Sequence, residues 1–239
     1  SSIWVLGINP YWVINAQTSN VYTVANTSTW FSEWTLSLPK DLALIAGIGS
    51  SRLGLYLNDR FNPELASRPS SFEKTYTNMA APHFSINKVI RKKISLFANY
   101  SVGFKPPVSS YFYITVPAVA TNPPTPANGS LNEKLQPEKG TQIEFGARGE
   151  ILQNKISFEV IRFHTLFRNK MTAIAVSSPL SPNTTLYSYM VNGGTQIHNG
   201  LELTIKYTAY ESSWGALRML RPFFNLRSEE HTSELQSRE

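Results

Sequence analysis

The stretch Ile94-Ser-Leu-Phe-Ala-Asn-Tyr-Ser-Val-Gly-Phe104 alternates apolar residues with mostly small or polar ones over eleven positions. A period of two places successive side chains on opposite faces of a β-strand. One face of this strand is therefore apolar, and the other is mostly polar. Such a two-faced strand suits a sheet that lies between two solvents, and an outer-membrane β-barrel is the extreme case.

The same alternation recurs on both sides of this stretch. Residues 143–151 place Glu and Arg between apolar positions, and residues 201–209 place Glu and Lys there. Residues 30–38 and 42–48 also alternate, and Pro39-Lys40-Asp41 between them is typical of a tight turn. Weaker strands are expected over 3–14 and 20–27. In the segment 156–174 the apolar residues occupy even positions up to Val160 and then odd positions at Ile161 and Phe163. This change of face predicts a β-bulge.

Composition agrees with a membrane-embedded sheet without requiring one. Charged residues make up 16% of the chain, compared with about 25% in ordinary soluble domains. Aromatic residues make up 12%, which fits the aromatic girdles of a barrel but also a soluble β-sandwich. No run of 18 apolar residues predicts a transmembrane helix. The absence of cysteine excludes disulfides, thiolate metal sites and a cysteine nucleophile.

The expected connections alternate between short and long. Short turns follow Leu38, Ile86, Ile151 and Tyr210, whereas long loops follow Tyr56, Phe104 and Val176. Outer-membrane barrels have short periplasmic turns and longer extracellular loops. The longest loop, 105–139, holds seven prolines. These features together predict an all-β, antiparallel transmembrane barrel.

Residue patterns for other functions are missing. The net charge of +6 is scattered, and its densest run, Arg91-Lys92-Lys93, falls at a predicted turn, so no nucleic-acid partner is expected. The four histidines are widely spaced, and no H-E-x-x-H pattern, paired carboxylates or G-x-S-x-G elbow occurs. We therefore predict no catalytic residues, no metal site, no cofactor and no enzymatic activity.

The last 13 residues, 227–239, differ from the rest of the chain. They contain one apolar residue, Leu235, and resemble the in-frame translation of a DNA-sequencing adaptor. The first residues lack a Met and a basic leader. We therefore expect residues 1–226 to be an internal piece of a barrel and residues 227–239 to be a non-native tail; a short polar helix or a disordered tail is the alternative.

Three motifs in register resemble those of one family. The stretch Phe97–Pro107 is similar to a strand that ends in a Gly-Phe-Arg-Pro-Pro-like motif. Leu135–Lys139 followed by Gln142–Gly146 resembles an "L-x-P-E … x-E-x-G" signature, and Tyr189–Gly193 followed by Asn199–Leu203 resembles "Y-x-N … G-x-E". Over about residues 30–226 the chain thus resembles the β-barrel of TonB-dependent outer-membrane receptors.

The resemblance implies a plugged barrel of about 22 strands, of which this chain would hold roughly nine or ten. Such receptors lie in the outer membrane, contact its lipid and import scarce nutrients, typically ferric siderophores or another small-molecule cargo. Their energy comes from the TonB complex through a plug domain, which this chain lacks. A passive channel and a soluble β-sandwich that binds a ligand are the alternatives.

Two groups of residues are candidates for function. Tyr111, Phe112 and Tyr113 lie in the longest loop, where aromatic faces are expected to line an extracellular ligand site. An aromatic girdle at the membrane rim is the alternative for these three residues. The other group lies on the polar faces of strands and is expected to point into the lumen, where the acidic residues pair with Arg or Lys. Its members are Glu144, Arg148 and Glu202.

Overall fold

A computed structural model describes residues 20–62, 64–65, 67–214 and 217–235. Within them the chain forms twelve β-strands and one 3₁₀ turn at Ser109–Tyr111. The strands are β1 (Val21–Leu38), β2 (Leu42–Asp59), β3 (Ser71–Ile90), β4 (Ile94–Lys105), β5 (Tyr113–Val116), β6 (Asn128–Leu131), β7 (Glu138–Ile151), β8 (Ile156–Ser178), β9 (Ser181–Tyr207), β10 (Tyr210–Glu211), β11 (Met219–Leu220) and β12 (Phe223–Leu235).

One large sheet dominates the described part of the chain. It has eight strands in the order β1-β2-β3-β4-β7-β8-β9-β12, and neighbouring strands are antiparallel. The pairs β5–β6 and β10–β11 form two small separate sheets. Among the described residues β1 and β12 do not pair, so the large sheet stays open. The predicted all-β antiparallel architecture is confirmed, and no helix there is long and apolar enough to cross a membrane.

Short turns lie at one end of the sheet. Residues 39–41, 91–93 and 152–155 connect β1 to β2, β3 to β4 and β7 to β8. Non-glycine residues with left-handed φ form each turn, among them Asp41 and Asn154, which tolerate that conformation because their side chains bond locally. The opposite end carries the loops 60–70 and 106–137.

Several strand limits differ from the sequence-based expectations. The weak strand expected over 20–27 is continuous with the following strand as β1, and the one expected over 3–14 lies outside the described residues. The polar loop expected after Val176 is wrong, since β8 and β9 extend to a two-residue turn at Pro179–Leu180. The last strand starts at Phe223 and includes residues 227–235. From the sequence this strand is expected to start at Ala216. It starts later because the connection 208–222, between β9 and β12, holds the β10–β11 pair.

The bulge expected in β8 near Val160 is also wrong. The registers of β8 with β7 and β9 run without interruption from Ile156 to Phe167. The irregularity lies further along the strand, between Phe167 and Met171, where Asn169 has a left-handed φ of 55°. Ile161 and Phe163 are apolar residues on the polar face, opposite Gly146 and Gly200 respectively, so the alternation continues without a change of phase.

The large sheet has one apolar face and one polar face. Opposed residues in an antiparallel pair share a face, so Tyr100 lies beside Phe84 and Ile143 on the apolar face. Phe145 and Trp34 on that face are 60% and 61% exposed. No second layer covers the apolar face within the described residues. The polar face carries side chains such as those of Glu33, Asn99, Glu144 and Glu202.

The apolar residues of β2 change face along the strand. Leu42, Leu44, Ala46 and Ile48 lie on the apolar face, whereas the leucines from position 53 onward occupy odd positions and therefore lie on the opposite face. We call the part of the sheet from the short turns up to Ser51 the lower wall, and the parts of β2 and β3 beyond it the upper wall. The only extensive buried core in the described residues covers the upper wall; its members are Leu53, Leu55, Leu57, Tyr76, Met79, Phe112 and Leu135.

Candidate functional site

The long loop 106–137 is anchored on the upper wall by two apolar side chains. Phe112 is 0% exposed and Leu135 is 1% exposed, and both pack with Leu57 in the buried core. The Phe112 ring lies 5.3 Å from that of Phe72, measured between centroids. The Tyr76 hydroxyl donates a hydrogen bond of 2.8 Å to the Leu135 carbonyl. Phe112 therefore has no free surface for a ligand, because its side chain holds the loop in place.

A buried ion pair fixes the neighbouring loop. The Asp59 and Arg68 side chains are 0% and 5% exposed, and Arg68 Nη2 lies 2.5 Å from Asp59 Oδ2. The backbone N–H groups of Phe61 and Asn62 donate to Asp59 Oδ1 at 3.0 and 3.1 Å. Burial alone raises the pKa of Asp59, but these hydrogen bonds and the Arg68 guanidinium outweigh it and lower the pKa below its ordinary value of 3.8.

The same arginine joins the two loops. The Arg68 guanidinium lies 4.7 Å from the centroid of the Tyr113 ring, a cation–π contact. The Tyr113 hydroxyl donates to the Ser70 carbonyl at 3.1 Å, and Ser67 Oγ donates to the Gly129 carbonyl at 2.7 Å. A Cβ at Gly129 would lie 2.1 Å from Arg68 Cδ, so a larger residue does not fit there. We call the described residues of loops 60–70 and 106–137 the loop platform.

A cleft of about 250 Å³ lies between the loop platform and the β8–β9 hairpin. Tyr111 and Tyr113 line it from the platform, and Tyr189 lines it from β9. Its remaining lining residues are uncharged: Ser110, Ile114, Ala173, Ser188 and Met190. Tyrosine rings offer flat apolar surfaces, and their hydroxyls donate and accept hydrogen bonds. This tyrosine cleft can therefore hold one ring or arm of an organic ligand.

Glu138 gives a structural reason for one of the quoted motifs. It is 4% exposed, and its Oε1 accepts a 2.8 Å hydrogen bond from the backbone N–H of Met171. Lys170 Nζ and Lys105 Nζ lie 3.4 and 3.9 Å from Oε2. The carboxylate thus satisfies a backbone donor at the irregularity of β8. Leu135, from the same motif, lies in the core described above.

The three residues expected in the lumen lie on the polar face, away from the loop platform. Glu144 accepts hydrogen bonds from the side-chain amides of Asn99 and Gln142 at 3.2 and 2.5 Å. Its partners are thus amides, where a cation was expected. Glu202 pairs at 2.7 Å with Arg227, which is the first residue of the expected non-native tail. The third residue, Arg148, is exposed and lies 5.4 Å from the centroid of the Phe97 ring.

Two glycines next to these residues allow close packing of aromatic rings. A Cβ at Gly146 would lie 2.2 Å from the Phe97 ring, and one at Gly200 would lie 2.2 Å from the Phe163 ring. Each ring therefore lies flat on the backbone of the neighbouring strand, where only glycine leaves room.

The described residues hold no group of three or more His, Asp or Glu side chains that could bind a metal ion. His83 bonds Glu33 at 2.8 Å, and His164 bonds Asn199 at 2.7 Å. Each of these histidines thus has one cross-strand partner on the sheet, without a third candidate ligand beside it.

Sequence reasoning gave no role to Asp59 or Arg68, and it named Glu138 and Tyr189 only as members of motifs. The pattern Asp59-Arg-Phe-Asn62 carried a local signal, since an Asp that accepts from the next backbone N–H groups is a common turn device. The partners of the other residues lie far away in sequence. Glu138 and Met171, for example, are 33 positions apart, so no local pattern could have joined them.

Comparison with known proteins shows which family and which solved structures share this architecture. The family described as "TonB dependent receptor-like, beta-barrel" matches residues 5–232. Three solved structures share the fold: the alcaligin outer-membrane receptor FauA from Bordetella pertussis (17% identity, TM-score 0.53), the ferric yersiniabactin uptake receptor FyuA from Yersinia pestis (16%, 0.55) and the siderophore receptor PirA from Pseudomonas aeruginosa (14%, 0.54). No curated protein sequence matches the chain.

The alignments cover most of this chain but only part of those receptors. They include 88%, 91% and 89% of this chain, and 31%, 28% and 44% of FauA, FyuA and PirA, respectively. The chain therefore spans less than half the length of these solved structures. Its open eight-stranded sheet corresponds to a partial barrel.

Proposed function

The chain belongs to the TonB-dependent receptor-like β-barrel family, and we propose that it is a wall segment of an outer-membrane receptor that imports a ferric siderophore with energy from TonB. The family consists of receptors, not of enzymes. FauA and FyuA are described as receptors for alcaligin and for ferric yersiniabactin, and these names support a metal chelate as the cargo of this protein. We further infer that the plug and the TonB-contacting segment belong to the rest of the receptor.

The observation that carries the proposal is the fixed loop platform at one end of a two-faced wall. A buried core and a buried ion pair hold the two loops, so the tyrosine cleft is kept in shape without a ligand. Preorganisation of this kind lowers the entropy that binding costs. In this proposal Tyr111 and Tyr113 contact the cargo, and Phe112 acts as their anchor.

The polar face lines the aqueous interior in this proposal. Charged groups such as Glu144, Arg148 and Glu202 are costly in hydrocarbon but are readily solvated in a lumen. The exposed apolar face then contacts outer-membrane lipid.

Residues 1–226 are the native barrel segment and residues 227–239 a non-native tail. Sequencing the flanking gene tests this assignment, because an upstream plug-coding region supports it and a native continuation through 239 contradicts the tail.

Uptake by cells tests the transport function. The complete receptor is produced in a receptor-deficient, iron-starved Gram-negative host, with and without TonB, and uptake of radiolabelled ferric siderophores is measured. We expect uptake only when TonB is present. We also expect Tyr111→Ala to reduce it about tenfold, since aromatic contacts carry much of a ligand's affinity. Tyr207→Ala, on the apolar face of the lower wall, is the control. Equal uptake without TonB would instead identify a passive channel.

A further inference from the structure

A second cavity lies on the polar face of β4, β7 and β8, next to the loop end. It has a volume of about 420 Å³, within the range of small-ligand pockets. Gly103 and Gly140 face each other across the β4–β7 ladder and form its floor. Phe167 forms a wall, and its ring would lie 3.2 Å from a Cβ at Gly140. We call this cavity the glycine pit.

Two lysines give the rim of the glycine pit an excess of positive charge. Lys105, Lys170 and Glu138 are the charged residues among those that line it. Both ammonium groups approach one oxygen of Glu138, at 3.9 and 3.4 Å, which is longer than the 2.7–2.9 Å of a strong charge-assisted hydrogen bond. One carboxylate cannot neutralise two ammonium groups, so about one unit of positive charge remains unpaired.

The rest of the lining adds polar groups below the rim. Ser101, Gln142 and Thr165 lie one row further down the polar face. Their hydroxyl and amide groups can donate hydrogen bonds. The Lys170 ammonium lies 5.2 Å from the centroid of the Phe167 ring. A cation and an aromatic wall thus stand side by side, an arrangement that fits an anionic group on a flat apolar body.

We propose that the glycine pit binds the carboxylate of a small aromatic acid. Lys105 and Lys170 contact the carboxylate, Phe167 stacks with the ring, and Glu138 positions the two lysines. The site lies outside the tyrosine cleft. It rests on the proposed function in one respect only, namely that the polar face is open to water.

The test is isothermal titration of the full 239-residue chain in detergent micelles with benzoate, and with benzamide as the uncharged isostere. We expect benzoate to bind with a Kd on the order of 1 mM and benzamide to bind at least about tenfold more weakly. Lys105→Met and Lys170→Met should each weaken benzoate binding about tenfold, the loss expected for one charged contact. Lys92→Met, at a short turn, is the matched charge control.

Gly103→Leu gives a steric test that leaves the fold intact. A Cβ at Gly103 has no neighbouring atom within 4 Å, so the leucine side chain enters the glycine pit and should abolish benzoate binding. Gly54→Leu is the matched control, since a Cβ there has its nearest neighbour at 3.9 Å. Unchanged affinity in Gly103→Leu, equal affinity for benzamide, or equal losses in Lys92→Met and Lys105→Met would each overturn the proposal. Since no transport is measured, the result is independent of the uptake assay.

Discussion

The lower and upper parts of β2 bury their apolar side chains in opposite directions. In the lower wall, Ile48 is 37% exposed on a face that no other part of the described protein covers. In the upper wall, Leu57 is 0% exposed, on the other face and under the loop platform. The strand keeps its period of two throughout. Only the environment on each side changes.

This inversion separates two sources of stability. Above Ser51, burial under the loops removes leucine side chains from water, and each fully buried side chain contributes about 1.5–3 kcal/mol. Below it, no other part of the described residues covers the apolar face, and in the proposed setting lipid takes that place. In the upper wall, polar residues such as Arg52 and Asn58 lie on the side that is apolar in the lower wall. Their polarity agrees with a position of the upper wall outside the hydrocarbon layer. In the outer-membrane setting proposed above, the inversion is the expected place where the wall leaves the membrane.

The largest effect should follow from breaking the ion pair of the upper wall. Arg68→Met leaves the Asp59 carboxylate buried without its cation, and such a loss costs about 3–5 kcal/mol. We expect rapid hydrogen exchange of the backbone amides in 113–116, measured by mass spectrometry in micelles. Arg60→Met, at an exposed neighbour, should leave exchange unchanged. Retained protection in Arg68→Met would show that the pair does not hold the platform.

A cavity in the upper wall should cost more than the same truncation in the lower wall. Leu57→Ala removes a fully buried side chain, which lowers the free energy of unfolding by about 2–5 kcal/mol. Ile48→Ala, on the same strand, should change it by about 0.5 kcal/mol, because the lost side chain faces detergent. Urea titrations in micelles measure both values. Equal losses would contradict the assignment of two environments.

An added charge should destabilise the lower wall more than the upper wall, the reverse of the order expected for the cavity. Ala46→Arg places a guanidinium on the apolar face of the lower wall, where hydrocarbon makes it cost about 2–4 kcal/mol. Gly54→Arg places one on the same side of the upper wall and should cost about 0–1 kcal/mol. Both are measured by urea unfolding from phospholipid vesicles. A cost at position 54 as large as that at position 46 would move the membrane boundary beyond the inversion.

The smallest effect should be that of acid, which should loosen the loops of the upper wall before the strands. The pKa of Asp59 is lower in the folded protein than its ordinary value of 3.8. The stabilisation is therefore complete above that value and is lost as the pH falls through the lowered pKa. Limited pepsin digestion between pH 4 and pH 2 should show earlier cleavage of 106–137 than of the strands. Asp59→Asn should remove the pH dependence, and an unaltered profile in that variant would disprove the assignment.

Sequence patterns predicted the lower wall well. The alternation in 94–104 and 201–207 and the turns at 39–41 and 152–155 depend on neighbouring residues, so periodicity and turn chemistry reveal them. The short turn expected after Ile86 instead begins at Arg91. The one expected after Tyr210 is wrong, because the connection 208–222 holds the β10–β11 pair. The same patterns gave the wrong limits for the β8–β9 hairpin, because Ser177 and Ser178 pair with Thr185 and Ser181 although none of residues 177–188 is buried. Hydrogen bonding along a ladder can outweigh weak strand propensity.

The candidate site was only partly visible in the sequence. The aromatic run 111–113 lies in the loop that lines the tyrosine cleft, but alternation alone could not show that Phe112 turns into the core while its neighbours line the cleft. The ion pair Asp59–Arg68 and the glycine pit depend on contacts between separate elements. Gly103 and Gly140 become a single floor only through the register of β4 and β7.

The three short turns imply an order of assembly. Turns of three or four residues let adjacent strands find each other quickly, since the entropy of closing so small a loop is low. Two hydrogen bonds between the two loops of the platform, Tyr113 to Ser70 and Ser67 to Gly129, instead join residues 43 and 62 positions apart. Contacts at such separation form late. Hairpins should thus form first during biogenesis, and the loop platform should form last, after the neighbouring strands have paired.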